Sequence, residues 1–301
     1  MKNKLCTLCP RACAVDRAEK LGYCGAPAEI MVARAALHMW EEPPVSGSRG
    51  SGTIFFAGCN MGCVFCQNRE ISRPKTKVGR AFDADGLWNI MASLRDKGAH
   101  NINLVTPTHY ADVISRVLAA HKSELGIPVV YNCGGYESVE TLRTLDGLID
   151  IYLPDFKYFS CELAKKYSNA PDYMQAATAA LDEMLRQQSR CVFDVDGILQ
   201  SGVIVRHLVL PGCRRDSIEV LKKIADIRGD RDMRISLMRQ FTPDFLPDGG
   251  EFSSLRRRLT SFEYESVLKV ADELGFEGFS QGADSATADF TPNFSEFFIE
   301  N

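Results

Sequence analysis

Ile54-Phe55-Phe56-Ala57-Gly58-Cys59-Asn60-Met61-Gly62-Cys63-Val64-Phe65-Cys66-Gln67-Asn68 begins as an apolar run and turns into a loop carrying three cysteines. The run has the length and β-branched or aromatic character of a buried strand. The spacing after it is C-x3-C-x2-C, three thiolates for three corners of a four-iron cluster, with the fourth iron left without a protein ligand. Closed structural sites use four protein ligands, whereas an open coordination position is what a metal needs to bind and transform another molecule. A zinc knuckle is the plainer reading of the trio, but the strand directly before the loop is the context the cluster reading requires.

Downstream of this loop, apolar runs alternate with amphipathic segments. Strands are predicted over Asn101 to Val105, Pro128 to Tyr131, Ile149 to Leu153, Val203 to Leu210 and Ile235 to Met238. Helices are predicted over Ala84 to Lys97, Ala111 to Ser123, Ser138 to Leu145, Gln175 to Gln188, Ser217 to Ile227 and Ser261 to Leu274, with Asp216 as the N-cap of the fifth. With the strand through Phe55 these make six strand–helix units, which predicts parallel strands and crossover helices. Eight units close a full barrel, so the expected fold is α/β, an open partial (β/α)6 barrel. The expected division is a Cys-rich metal-binding lead-in over 1–50 and the barrel, with a closing C-terminal segment, over 51–301.

In such sheets ligands lie where the strands end. The predicted strands end in Cys59, Thr106-Pro107-Thr108-His109, Asn132-Cys133-Gly134-Gly135, Pro154-Asp155-Phe156-Lys157, Pro211-Gly212 and Arg239-Gln240. Together these predict one site at one face. Gly197 to Gly202 and the tail from Ser280 to Phe294 are expected to help close its mouth.

A second group, Cys6, Cys9, Cys13 and Cys24, reads C-x2-C-P-R-x-C-x10-C. Four thiolates suit a tetrahedral zinc or a complete second iron–sulfur cluster, and the sequence leaves both open. Zinc would staple a segment with little core of its own; a cluster could relay electrons. Cys133, Cys161, Cys191 and Cys213 stand alone and read as small buried hydrophobes. Seven of eleven cysteines in metal-like groups fit reducing surroundings better than a disulfide framework.

The 301 residues are 45% hydrophobic, enough for a barrel-sized core, and the formal charge of −4 lacks the basic excess that phosphate backbones attract. Nucleic acid is therefore a poor partner. No apolar run of membrane-spanning length occurs, and the expectation is a cytoplasmic protein away from membranes.

The cysteine loop, with Phe65 before its last cysteine, resembles the signature of the radical S-adenosylmethionine (SAM) superfamily. Cys6 to Cys13, Val32-Ala33-Arg34-Ala35, Trp40-Glu41-Glu42-Pro43-Pro44, Gly50-Ser51-Gly52-Thr53 and Asn103 to His109 further resemble uncharacterised relatives of pyruvate formate-lyase activating enzymes. The resemblance implies a [4Fe-4S] cluster on Cys59, Cys63 and Cys66. It implies reductive cleavage of SAM to a 5'-deoxyadenosyl radical, a protein or peptide substrate such as a glycine in a partner, and an electron donor such as flavodoxin or ferredoxin. Phe65, Asn68, Thr106, Thr108, Asn132, Asp155, Lys157 and Arg206 fall where SAM contacts are expected. The family's Gly-Gly-Glu after the second strand is replaced here by Thr106-Pro107-Thr108. A radical enzyme acting on a small molecule or RNA base, and an iron–sulfur carrier without SAM chemistry, are the alternatives.

Overall fold

The computed structural model describes residues 5–73, 78–285 and 294. The strands are β1 (Ile30–His38), β2 (Ser51–Phe56), β3 (Arg80–Phe82), β4 (Ile102–Val105), β5 (Val129–Cys133), β6 (Ile151–Pro154), β7 (Val192–Phe193), β8 (Leu199–Leu208), β9 (Arg234–Met238) and β10 (Gly278–Ser280). The helices are α1 (Pro43–Ser46), α2 (Arg69–Ser72), α3 (Ala84–Asp96), α4 (Ala111–Leu125), α5 (Val139–Arg143), α6 (Cys161–Ser168), α7 (Tyr173–Gln187), α8 (Arg214–Arg228) and α9 (Ser261–Glu273).

Strands β2, β4, β5, β6, β8 and β9 lie side by side in that order, all parallel, and are the six of the expected partial barrel. A short β10 adds a seventh parallel strand beyond β9. On the other flank β1 runs antiparallel to β2, and β3 antiparallel to β1. Among the described residues β10 and β3 pair with no strand on their outer sides, so the barrel stays open.

The two-residue period of the strands sorts their apolar side chains into two main layers. The larger lies between the sheet and its helices, where Leu104, Tyr131, Tyr152 and Val205 meet Ile114, Leu142, Met184 and Leu221. The smaller lies inside the barrel, where Val130, Ile151, Leu153, Leu199 and Ile204 surround Val45. Val45 belongs to α1, which makes the β1–β2 connection a strap across the strand-start end of the lumen. Asn101 Nδ2 donates to Val45 O at 2.7 Å and Ser51 Oγ to Asn101 Oδ1 at 2.5 Å, fixing the strap to the starts of β2 and β4.

Helix α8 starts earlier than its expected cap. After the Pro211-Gly212 turn, Ser217 N donates to Cys213 O, so Cys213 is the N-cap. The Asp216 carboxylate instead accepts from Phe159 N at 3.1 Å and Ser160 N at 2.7 Å, joining α8 to the start of α6. Gly197 and Ile198 sit at the turn into β8, beside Pro43, Gly47 and His100. That is the floor end, so Gly197 to Gly202 does not close the mouth. Of the expected closing tail, residues 286–293 lie outside the described residues, while Phe294 packs edge-on to Phe55 with ring centroids 5.4 Å apart.

Candidate active site at the strand ends

The cysteine loop leaves the end of β2 held on four sides. Ala57 N donates to Met31 O, Gly58 N to Ile71 O, and Cys59 N to Cys24 O at 3.2 Å. His109 Nε2 lies 2.9 Å from Ala57 O, and burial pushes that imidazole down to about 3, so it is neutral at pH 7. Gly58 has φ +95, and a Cβ there would come within 2.8 Å of Cys24 O. Only glycine permits this close approach of the two cysteine segments.

Burial, then the neighbouring Cys63, raises the Cys59 thiol; burial, then Cys63 and Cys59, pushes Cys66 up to about 12. Lys157 pulls both downward. Ser168 Oγ donates to Cys63 Sγ at 3.0 Å and Met61 N to Cys59 Sγ at 3.4 Å. Among the described residues no three Cys, His, Asp or Glu side chains converge as ligands of one ion. A cubane places its ligating sulfurs on separate irons, farther apart than the ligands of one ion. Three mutually influencing thiols with two hydrogen-bond donors aimed at their sulfurs therefore fit the four-iron group.

A cavity of about 620 Å³ runs from this loop into the barrel, within the range of small-molecule sites. Cys63, Cys66, Phe65, Asn68, Asn132, Asp155, Lys157 and Arg206 all line it. Thr106 and Thr108 are not in its wall; the buried Thr108 hydroxyl donates to Glu137 Oε1 at 2.8 Å. Pro211-Gly212 is also elsewhere, with Gly212 N donating to Glu263 Oε1 at 2.8 Å on the helix side.

The polar layer rests directly on the apolar plug, because Asn132, Asp155 and Arg206 lie two residues beyond Val130, Leu153 and Ile204 on the same strand face. Arg206 is its hub: Nε donates to Asp155 Oδ1 at 3.1 Å, one terminal nitrogen to Glu41 Oε2 at 3.2 Å, and the other to Asn132 Oδ1 at 2.5 Å. Lys157 Nζ donates to Asp155 Oδ2 at 2.5 Å. Burial works against the Asp155 carboxylate, but Lys157 and Arg206 overcome it and hold the group below its ordinary range. Burial likewise opposes the Lys157 ammonium, and Asp155 and Cys63 reverse that, so Lys157 stays charged.

Several lining residues escape a reading based on strand ends. Glu41 and Glu42 come up from the strap, and Gln67 and Gln281 join the strand-end Gln240 in an amide ladder at the rim. Gln281 Nε2 donates to Gln240 Oε1 at 2.8 Å and Gln240 Nε2 to Gln67 Oε1 at 3.2 Å, tying β10, the end of β9 and the cysteine loop across the open seam. The available signal for the strap was two adjacent acids before Pro43-Pro44 in a short inter-strand connection.

The profile of the Radical SAM superfamily matches residues 53–200. An uncharacterized protein of Methanocaldococcus jannaschii is 28% identical over 283 residues, covering 91% of this chain and 76% of the relative. A radical SAM methyltransferase from Sphaerobacter thermophilus shares the fold with a TM-score of 0.52 at 15% identity, over 78% of this chain and 69% of that one. SuiB of Streptococcus suis, solved bound to S-adenosylmethionine, aligns with a TM-score of 0.50 at 15% identity. The alignment covers 77% of this chain and half of SuiB. The profile match runs from β2 through the cysteine loop and the Asp155–Lys157 strand end to the start of β8, and this stretch of the chain is a radical SAM domain.

Proposed function

We propose that this protein is an enzyme that binds a [4Fe-4S] cluster on Cys59, Cys63 and Cys66 and cleaves S-adenosylmethionine reductively. The cluster would supply the electron that splits SAM into methionine and a 5'-deoxyadenosyl radical able to take a hydrogen atom from a substrate. The observation that carries this reading is a single cavity lined by Cys63 and Cys66 at the strand ends and by Asn132, Asp155, Lys157 and Arg206 deeper in the lumen.

Asp155 and Lys157 form a fixed ion pair suited to the zwitterionic end of SAM, and Asn132, oriented by Arg206, suits a ribose hydroxyl. Phe55, Phe65, Leu208, Met238 and Phe241 give the same space an apolar wall. Such a wall keeps water and stray hydrogen donors from a reactive intermediate. The substrate is proposed to be a protein or peptide, including a glycine in a partner enzyme, on the strength of the activating-enzyme resemblance. SuiB, of like fold, has been solved with its precursor peptide SuiA.

Residues 1–50 are the lead-in, with Cys6, Cys9, Cys13 and Cys24 holding a second metal; iron–sulfur suits their placement better than one zinc, since no three of these side chains converge on a single ion. Their support is proximity: Cys24 O takes the hydrogen bond of Cys59 N, and Arg11 Nε donates to Asn60 O at 2.9 Å. A cluster at this place would sit one backbone hydrogen bond from the loop and could pass electrons from a flavodoxin or ferredoxin. A cytoplasmic setting suits these thiols, and no helix among the described residues is long and apolar enough to cross a membrane.

The test is anaerobic reconstitution with iron and sulfide, reduction, addition of SAM and chromatography for 5'-deoxyadenosine. Its formation by the wild-type protein supports the reading. A four-iron protein whose cluster signal ignores SAM is an electron carrier instead.

A further inference from the structure

The charged residues lining the lumen are three carboxyls, Glu41, Glu42 and Asp155, and two cations, Lys157 and Arg206. Four of the five are mutually satisfied. Asp155 accepts from Lys157 and Arg206. Glu41 accepts from Arg206, from Asn103 Nδ2 at 2.9 Å and from Asn132 Nδ2 at 3.3 Å. Glu42 is the remainder: it is 9% exposed, and its Oε2 has no hydrogen-bond partner. Asn103 Oδ1 and Thr242 Oγ1 are likewise buried without partners. His38 adds no compensating charge, because burial and Arg34 push it down to about 4.

A native interior rarely leaves a carboxyl oxygen unpaired without a use for it. Burial raises the Glu42 carboxyl, Arg206 pulls it back and Glu41 adds to the rise, while Ser236 is the hydroxyl beside it. Its place is fixed by rigid neighbours. Val45 N and Ser46 N both donate to Glu42 O, Glu41 N donates to Ser46 Oγ at 2.9 Å, and Val45 is sunk in the plug. The carboxyl thus lines the lumen from the floor strap, while the thiols line it from the strand-end rim.

We propose that Glu42 receives a cationic nitrogen, an alkylammonium or guanidinium, on the molecule that gives up its hydrogen atom. This rests on the radical reading above and deepens it: the substrate carries its positive group toward the floor, leaving the carbon to be attacked nearer the rim. The third cation then matches the third carboxyl, and a buried charge gains the partner it requires.

The probes are N-acetyl-lysinamide and N-acetyl-norleucinamide, alike in shape and differing in the terminal ammonium. Each is titrated calorimetrically into the anaerobic, reconstituted protein with SAM present. Wild-type protein should prefer the lysine probe by at least about tenfold, the conservative end for a buried charge pair. Glu42→Gln should bring the two probes within about twofold while SAM affinity holds. Glu42→Asp keeps the charge and should retain a preference, which guards against a fold defect in the amide variant. Equal binding of the probes to wild type overturns the proposal. So does a preference that survives Glu42→Gln or vanishes in a folded Glu42→Asp, or a tenfold loss of SAM affinity, which would make Glu42 part of the SAM site. Formation of 5'-deoxyadenosine is scored separately. A protein that makes none yet discriminates the probes refutes the radical reading and keeps the Glu42 assignment; one that makes it without discriminating does the reverse.

Discussion

The two cysteine groups lie against each other but are held by different physics. Cys59, Cys63 and Cys66 follow a fully buried strand, and their loop is fixed by regular backbone bonds, a buried imidazole and a left-handed glycine. Cys6 to Cys24 sit in a segment whose described part has no helix or strand, and Ala12 and Ala14 take positive φ. What secures that segment is Arg11. Its guanidinium lies 3.8 Å from the Tyr23 ring centroid and 5.0 Å from that of Tyr136, and it donates to Asn60 O, to Asn169 O at 2.5 Å and to Ser168 O at 3.1 Å. Arg17 adds a second tie, to His109 O and over Tyr110. A loop carried by a sheet should keep its geometry without metal, whereas a segment carried by two arginines should lean on its metal for order.

The largest break expected is Cys63→Ala. It removes one of three ligands, and 5'-deoxyadenosine formation should fall to background with SAM and reductant present. Turnover at the wild-type rate would sink the cluster assignment.

Next comes Cys6→Ala. Iron at the loop should be retained while the second metal is lost, as zinc or as about half the iron, read by metal analysis on one sample. If the loop cluster disappears with it, the two groups are a single cooperative unit and the loop does not keep its geometry by itself.

Arg11→Ala probes the tie itself. Loss of two cation–π contacts and three charged hydrogen bonds to carbonyls should cost about 2–3 kcal/mol. Cys6, Cys9, Cys13 and Cys24 should alkylate faster while Cys59, Cys63 and Cys66 keep their rate. Arg11→Lys should not restore protection, since an ammonium lacks the planar fork. Uniform acceleration at all seven thiols would mean that the loop, too, depends on Arg11.

Legibility in the sequence divides along the same line. The strands of the barrel were readable because both their faces are buried, which turns each into a short continuous apolar run such as Val129 to Tyr131. The six parallel strands stand where those runs are. β1 was hidden because its partner is set by register with β2 and not by its own pattern; Arg34 sits in its middle. Asp155, Lys157 and Asn132 are legible because strand ends converge, whereas Arg206, inside its strand, is reached only through the family resemblance. Glu41 and Glu42 carry no local sign of a place in the site, since nothing in the sequence says that this connection crosses the lumen. Asp216 looked like a cap on residue type alone, and the turn one step earlier had already supplied one.

The smallest expected effect lies away from both thiol groups and serves as the reference for them. Glu263 at the third position of α9 accepts from Thr260 N, and Thr260 Oγ1 accepts from Glu263 N, a capping box closed by Arg257 at 2.6 Å from Glu263 Oε1. Arg257 first, then the Gly212 and Thr260 donors, hold this carboxyl below its ordinary value despite burial. A carboxylate with a depressed folded pKa binds fewer protons folded than unfolded between the two values. Its stabilisation is therefore complete above the unfolded glutamate value of about 4.3 and fades as the pH falls through the lower folded one. Glu263→Gln should cost about 1–2 kcal/mol at pH 7, the scale of a lost cap and charge partner, and the difference from wild type should shrink on acidification. Thermal unfolding of both proteins from pH 7 down to pH 3 measures it. The rates of thiol alkylation should not move, because this box braces α9 against the β8–α8 turn and touches neither cysteine segment. A change at Cys59 or Cys66 in this variant would mean that the outer helices, and not the sheet alone, hold the loop in shape.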